Sequence, residues 1–215
     1  MVKRKRKNRL LTDALREVRN TRNRFLSLFL LAALSVAFLA GLRTTSPNMQ
    51  YTADQYFDAL HLMDGRVLST LGLTGEDLEA LAAQPGVGTV EGAWNVDAVC
   101  GDKILSVHSM PGRLNQPALT SGRMPQSADE CLAEQGFLDE AGLKLGDTLV
   151  LDVEASDAGD SLGRAEYTVV GTADSPMYIS VDRGSSTLGT GKVSALLFVP
   201  PENFTVDYYT AAYFS

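Results

Sequence analysis

Residues 120–149 bring several chemically reactive side chains close together: TSGRMPQSADECLAEQGFLDEAGLKLGDTL. An arginine, several carboxylates and Cys131 stand near one another, as they do in nucleophilic centres and ligand sites. A partner base is missing, because the two histidines of the chain, His61 and His108, lie in no H-E-x-x-H pattern, and G-x-S-x-G does not occur. No C-x-x-C or zinc-ligand spacing occurs either. The sequence therefore predicts no catalytic residue, no metal site and no cofactor.

A structural framework is the favoured interpretation of this segment, with ligand binding as the alternative. Its six key residues are Gly122, Arg123, Pro125, Glu130, Gly146 and Asp147. Gly122 can adopt a positive φ that other residues resist. Arg123 is placed to pair with Asp129 or Glu130, and a partly buried pair of this kind would hold the turn against the next element. Gly146-Asp147 predicts a turn that begins the apolar strand TLVLDV.

The charge of the chain is divided very unevenly. Residues 1–24 carry ten Lys/Arg and two acidic residues, whereas the remainder carries nine basic and 24 acidic residues. A basic head suits either nucleic acid or an anionic membrane surface. The next segment favours the membrane, because Phe25 to Leu42 (FLSLFLLAALSVAFLAGL) contains no charge and no proline. As a helix it would be about 27 Å long, close to the roughly 30 Å of a bilayer core.

The sequence therefore predicts a transmembrane helix over residues 25–42. It predicts no nucleic-acid partner. A cleaved signal peptide and a buried helix of a soluble protein are the alternatives. The Lys/Arg bias places the N-terminus in the cytoplasm and residues 43–215 outside a plasma membrane. Within the basic segment, TDALREVRNTRNR predicts an amphipathic helix, with a disordered flank as the alternative. Its four arginines, Arg16, Arg19, Arg22 and Arg24, are candidates for coupling to a partner or for seating on membrane lipid.

The exported part predicts an α+β fold. TTSPNMQ is typical of a turn, and YTADQYFDALHLM of a helix capped by Thr52. A strand over 66–71, a helix after a Thr74/Asp77 capping box and a strand region over 87–100 predict a β-α-β unit. Gly101-Asp102 predicts a hairpin, and the remainder is mostly strands.

Three segments follow from these patterns. They are a basic cytoplasmic segment (1–24), the membrane helix (25–42) and an extracytoplasmic domain (51–215) with lobes at about 51–118 and 119–200. The closing YYTAAYFS is typical of a strand, so we expect the chain to be a fragment of a longer protein. An oxidising environment on the exported side would allow a disulfide between Cys100 and Cys131. Two separate thiols are favoured, with Cys131 a small packed side chain.

Four stretches resemble one known family. They are LREVRNTRNRF, the membrane block ending in AGLRTTSPNM, LMDGRVLSTLGLTGEDLEALAAQPGV, and the GR-x-P, DEC and GLKLGDTL elements in that order. Together they resemble the N-terminal part of an ABC transporter permease of the MacB/FtsX type, over most of residues 10–200.

The resemblance implies a permease subunit that is not itself an enzyme. It implies a cytoplasmic ABC ATPase as partner, a second permease copy, and a first membrane helix followed by an outer core domain used in export or mechanotransmission. The family has three further membrane helices, and this sequence contains no second apolar run of that length. The alternative is a single-pass membrane-anchored adaptor or binding protein. That alternative predicts long coiled-coil heptads, which the sequence does not contain.

Overall fold

The computed structural model describes residues 9–154, 157–180 and 182–215. The chain divides into two compact units at Asp54/Gln55. The helices are α1 (Arg9–Asn20), α2 (Arg22–Ala59), α3 (Gly75–Ala82) and α4 (Gln135–Ala141). The strands are β1 (Gly65–Leu73), β2 (Val90–Ala93), β3 (Asn95–Cys100), β4 (Lys103–Ser109), β5 (Ala118–Gly122), β6 (Glu130–Ala133), β7 (Thr148–Val150), β8 (Glu166–Asp174), β9 (Ala195–Val199) and β10 (Tyr209–Phe214). One long apolar helix followed by a sheet-rich α+β domain is the fold class that the sequence predicts.

The N-terminal unit consists of α1 and most of α2. The helix predicted over Thr12–Arg24 is formed by α1 and the start of α2, and a turn at Thr21 separates the two helices. Every large hydrophobic side chain from Phe25 to Leu42 is exposed. Ser27 and Ser35 donate their hydroxyls to the carbonyls four residues before them, both at 2.9 Å, so neither leaves an unpaired polar group in an apolar surrounding. By length and composition α2 can cross a membrane, with a hydropathy of 2.5 over its most apolar window.

The turn predicted at TTSPNMQ is helical instead. The α-helix continues through Pro47 to Ala59, although Pro47 has no N–H to donate to the carbonyl four residues before it. Thr52 is not a cap, because it lies inside the helix and donates its hydroxyl to the Asn48 carbonyl at 2.9 Å. Extending an existing helix costs far less than nucleating one, so the long apolar helix continues past a single proline.

A three-stranded sheet holds the first elements of the second unit. Its order is β1-β10-β2, with both neighbours antiparallel to β10. Helix α3 connects β1 to β2, and its predicted capping box is present: the Asp77 N–H donates to the Thr74 hydroxyl at 3.3 Å, and Thr74 N–H donates to the Asp77 carboxylate at 2.8 Å. The predicted β-α-β elements are therefore formed, but a strand from the far end of the described chain separates the two strands.

The larger sheet contains the other seven strands. Its order is β3-β4-β9-β6-β8-β5, and β7 pairs with β8. The predicted hairpin at Gly101-Asp102 joins β3 to β4, and β4 then runs parallel to β9 from Leu105↔Ala195 to Ser109↔Val199. The sheets do not follow the predicted division at residue 118, because β3 and β4 lie with the later strands and β10 lies with the early ones.

The main core lies against one face of the larger sheet. It contains Leu105, Val107, Tyr167, Val169, Leu197 and Val199, covered by Phe137 and Leu138 of α4. Cys131 belongs to this core and has no exposed surface. Burial raises the pKa of its thiol to about 12, so the reactive thiolate does not form at neutral pH. Cys131 and the half-buried Cys100 are both free thiols, as predicted.

Candidate functional site

Gly122 begins the framework at the end of β5. Its φ is +76°, and a Cβ at this position would lie 2.3 Å from the carbonyl oxygen of Val170. The next residue donates its N–H to the same carbonyl, at 3.1 Å from Arg123 N. A glycine is therefore required both by the backbone conformation and by the close approach of β8.

Arg123 and Glu130 form a two-pronged ion pair across the following loop. Arg123 Nη1 donates to Glu130 Oε2 at 2.7 Å, and Nη2 donates to Oε1. The Gln126 N–H donates to the same Oε2 at 2.7 Å, so one carboxylate closes the whole loop around Pro125. The guanidinium, and next the Gln126 N–H, lower the pKa of Glu130 to about 2, and the bond to Glu130 raises the pKa of Arg123.

Asp129 and Glu130 are the two carboxylates predicted as partners for Arg123, and in the structure Arg123 binds Glu130. Asp129 uses its backbone instead, because its carbonyl accepts the N–H of Thr168 at 2.7 Å. The pKa of the Asp129 carboxyl is lowered first by a hydrogen bond from Ser127. The Asp129 backbone therefore binds the loop to β8, while the Glu130 side chain binds residues within the loop.

Gly146 and Asp147 form the turn before β7. Gly146 has a φ of +93°, and the Asp147 carboxylate accepts the N–H of Lys144 at 2.9 Å. Gly146 N–H donates to the Val169 carbonyl at 2.8 Å, and Val169 N–H donates to the Asp147 carbonyl at 3.0 Å. Both ends of the framework are thus hydrogen-bonded to neighbouring residues of β8, which brings the six predicted residues together around one strand.

This geometry organises the backbone and offers no reacting group. The framework holds one ion pair and two turns, and Cys131 beside it is buried as a neutral thiol. Among the residues that the structure describes, no group of three His, Cys, Asp or Glu side chains could hold a metal ion. The four arginines of the basic segment belong to the other unit: Arg16 and Arg19 lie on α1, Arg22 and Arg24 at the start of α2, and all four are exposed.

The sequence does not reveal a second, more buried ion pair between Glu134 and Arg183. Arg183 Nε donates to both carboxylate oxygens, at 2.9 and 3.1 Å, and Nη2 lies 2.7 Å from Oε1. The Leu196 N–H donates to Oε2 at 3.1 Å, so the pair is tied to β9. Only 9% of the Glu134 side chain and 18% of the Arg183 side chain are exposed. The one sequence signal is a glutamate directly after the apolar strand β6.

Glu91 is another carboxylate whose role the sequence does not show. Its two oxygens accept three successive backbone N–H groups, from Gly112, from Arg113 at 2.9 Å and from Leu114 at 2.8 Å. The loop between β4 and β5 is therefore fixed to β2. A surface depression of about 830 Å³ lies beside this loop, lined by the apolar Phe57, Leu62, Met63 and Leu114 and by the charged Asp58, Asp64 and Arg113.

No protein-family model and no curated protein matches the chain. The chain is similar in structure to two extracytoplasmic transporter domains. One is the extracellular domain of the noncanonic ABC-type transporter YknZ from Gram-positive bacteria, with 14% identity, a TM-score of 0.37, and coverage of 68% of this chain and 74% of that one. The other is the periplasmic region of MacB from Actinobacillus actinomycetemcomitans, with 14% identity, a TM-score of 0.38, and coverage of 69% and 65%. The chain thus spans less than two thirds of that MacB region.

Proposed function

We propose that this chain belongs to a permease subunit of an ABC transporter, anchored by α2 and working with a separate cytoplasmic ATPase and a second permease copy. The observation that carries the proposal is the 38-residue helix α2, which is long and apolar enough to cross a membrane and continues to Ala59. The order of the four sequence motifs that resemble a MacB/FtsX-type permease supports it as well. The subunit itself would catalyse no reaction.

The length of α2 exceeds what a membrane anchor needs. Its 38 residues span about 57 Å at 1.5 Å per residue, against a hydrocarbon core of roughly 30 Å. The part after Leu42 adds about 25 Å of helix with polar side chains. A simple tether would be served by a flexible linker, whereas a helix passes a displacement or rotation of its membrane part along its axis.

The chain that leaves α2 is held by the loop between β4 and β5. The N–H groups of Asn115 and Gln116 donate to the carbonyls of His61 and Leu60, both at 2.8 Å. The N–H of Met63 donates to Asn115 Oδ1 at 2.9 Å. Because Glu91 fixes the same loop to β2, a movement of the helix end would be delivered directly to the sheets of the outer domain.

The exposed arginines of α1 and of the start of α2 precede the apolar block in the chain. Arg16 and Arg19 lie one helical turn apart on α1, where they share a face. Their charge suits the phosphates of an inner leaflet, and it supports a cytoplasmic position for this end of the chain. We propose that Arg16 and Arg19 lie at the contact with the ATPase and that Arg22 and Arg24 seat the helix on lipid.

Site-specific photo-crosslinking of the full chain in its own cell membrane tests the proposal. Benzoylphenylalanine would replace Arg16 or Arg19, with Arg113 on the outer domain as the matched exposed control. We expect Arg16 or Arg19 to crosslink to a protein that carries the G-x-x-x-x-G-K-[ST] phosphate loop, identified by mass spectrometry. Arg113 should give no such product. Crosslinks from Arg16 and Arg19 to lipid alone would favour the anchored-adaptor alternative, and an ATPase crosslink from Arg113 would overturn the orientation.

A further inference from the structure

A small cavity lies where the two sheets of the outer domain meet, with a surface that is mostly apolar and a minor polar part. Its volume is about 10 Å³, close to the smallest that holds one water molecule. Its polar lining residues come from three parts of the domain: His108, Asn95 and Ser109 of the larger sheet, Tyr213 and Glu91 of the smaller sheet, and Asn115 of the loop that holds the end of α2. His108 is 4% exposed and Asn115 is 1% exposed, so these side chains are shielded from bulk solvent.

Three buried polar atoms, each on a residue that lines this cavity, have no hydrogen-bond partner among the described residues. They are His108 Nε2, Asn115 Nδ2 and Asn95 Oδ1. The other polar atoms of the two asparagines are already used, because Asn115 Oδ1 accepts Met63 N–H at 2.9 Å and Asn95 Nδ2 donates to Tyr213 Oη at 3.0 Å. Asn115 Nδ2 is therefore a donor and Asn95 Oδ1 an acceptor. Protein interiors leave few such atoms unpaired, since each costs free energy comparable to a lost hydrogen bond.

The donor or acceptor character of these atoms determines what kind of molecule the cavity can bind. A cation would be repelled by the Asn115 N–H, and an anion by the Asn95 carbonyl oxygen. Both Glu91 oxygens already accept backbone N–H groups. Burial lowers the pKa of His108 to about 4, so at neutral pH its imidazole is uncharged and Nε2 either donates or accepts. One donor, one acceptor and one adaptable nitrogen match a water molecule, which both donates and accepts.

We propose that this cavity binds a single water molecule that bridges His108 Nε2, Asn115 Nδ2 and Asn95 Oδ1. Through Asn115, which also holds the chain leaving α2, the water links the helix exit to the larger sheet. The water site thereby joins the larger sheet to the loop between β4 and β5, and the hydrogen bond from Asn95 Nδ2 to Tyr213 Oη extends this network to the smaller sheet. It stands on the contacts of the outer domain alone and does not depend on the proposed transport function.

Nuclear magnetic resonance on the full chain in lipid nanodiscs tests this site, with water as the probe. Cross-relaxation between water protons and side-chain amides would be measured on ¹⁵N-labelled protein. We expect a cross-peak between water and the Asn115 side-chain amide. Asn203 is the internal control, because its buried Nδ2 donates directly to the carbonyls of Ala128 and Pro200, at 2.8 and 3.1 Å. Its amide should show no such peak.

The variant His108→Phe keeps a ring in the cavity and removes Nε2. In this variant the Asn115 cross-peak should weaken or disappear, while the Asn203 signals keep their positions and report an intact fold. A wild-type Asn115 amide without a water cross-peak would overturn the proposal. A crystal structure in which Asn115 and His108 bond directly to each other would overturn it as well. Both results come from the wild-type chain, so they stand even if the variant fails to fold.

Discussion

At the level of single residues, Gly122 and Gly142 allow the cost of a positive φ to be measured apart from the cost of a steric clash with a Cβ. Both have a positive φ, of +76° and +69°, but a Cβ would lie 2.3 Å from the Val170 carbonyl oxygen at Gly122 and would meet nothing within 4 Å at Gly142. Gly142→Ala should therefore cost only the backbone strain, about 1 kcal/mol. Gly122→Ala should cost distinctly more, because β8 or the loop must also move. Denaturant unfolding of the two variants measures the difference, and equal losses would contradict the close approach of β8.

Glu130 and Glu140 make a matched pair for the predicted framework, since each carboxylate binds one basic side chain. Glu130 is 14% exposed and also accepts the Gln126 N–H, whereas Glu140 is 66% exposed and binds Lys103 alone. We expect Glu130→Gln to lower the melting temperature clearly and Glu140→Gln to change it little, because exposed ion pairs contribute little.

The pH dependence of the Glu130 pair has a defined sign. Its folded-state pKa is lowered from 4.5 to about 2, so its stabilising contribution is complete above pH 4.5 and is lost as the pH falls through 2. The gap in melting temperature between wild type and Glu130→Gln should therefore close in that window. A gap that persists at pH 2 would show that Glu130 acts through its shape and not through its charge.

Residues close in sequence were more predictable than those that meet across the fold. The candidates for the Arg123 partner were limited to Asp129 and Glu130 because a loop of this length brings only nearby carboxylates within reach. The choice between them depends on β8, where Thr168 holds the Asp129 carbonyl. The pair Glu134–Arg183 joins residues 49 positions apart, and its carboxylate also accepts the N–H of Leu196 from β9, so no local pattern indicates it.

At the level of elements, the cap of α3 shows how far a local signal reaches. No side chain of this described helix is fully buried, so the capping box carries a large share of its stability. Thr74→Ala should destabilise the domain by about 1 kcal/mol, and Thr74→Ser, which keeps the hydroxyl, by much less. Hydrogen exchange of the α3 amides measures the effect where it arises. Equal protection in the two variants would show that packing, and not the cap, defines the start of the helix.

The same local reasoning fails for α2 at Pro47. Proline usually ends a helix, because it lacks an N–H and its ring crowds the preceding turn. Here the helix has already formed over more than twenty residues when it reaches Pro47, and it continues for a further twelve. Local helix propensity correctly indicates that Pro47 costs the helix free energy. Whether the helix ends there depends on the helical residues on both sides of the proline.

At the level of the whole molecule, the strands were largely predictable and their partners were not. Alternation and turn signals indicated β1, the hairpin β3–β4, β8 and β9. However, β2 and β3 are separated only by Trp94 and belong to different sheets, and β10 enters between β1 and β2 from more than a hundred residues away. Strand order is decided by long-range pairing between apolar faces of similar pattern, which a single sequence does not distinguish.

The junction of the two sheets gives the domain a pH dependence of its own. His108 lies there against Tyr178 and Phe198, and burial, with a smaller contribution from Arg66, lowers its pKa from 6.5 to about 4. Between these values the unfolded chain binds a proton that the folded chain does not. Stability must therefore fall as the pH drops from 6.5 towards 4, by up to about 3 kcal/mol at 1.36 kcal/mol per pKa unit.

The pH range above 4.5 reports on His108 and not on Glu130, because the contribution of the Glu130 carboxylate to stability is complete above pH 4.5. Denaturant unfolding of the full chain between pH 7 and pH 4.5 should show stability decreasing with acidity in the wild type. In His108→Phe, which has no proton to bind at this position, the slope over the same range should be clearly smaller. Equal slopes would mean that His108 accepts its proton inside the folded domain. The junction between the sheets would then admit charge, and the neutral, water-bridged arrangement would not describe it.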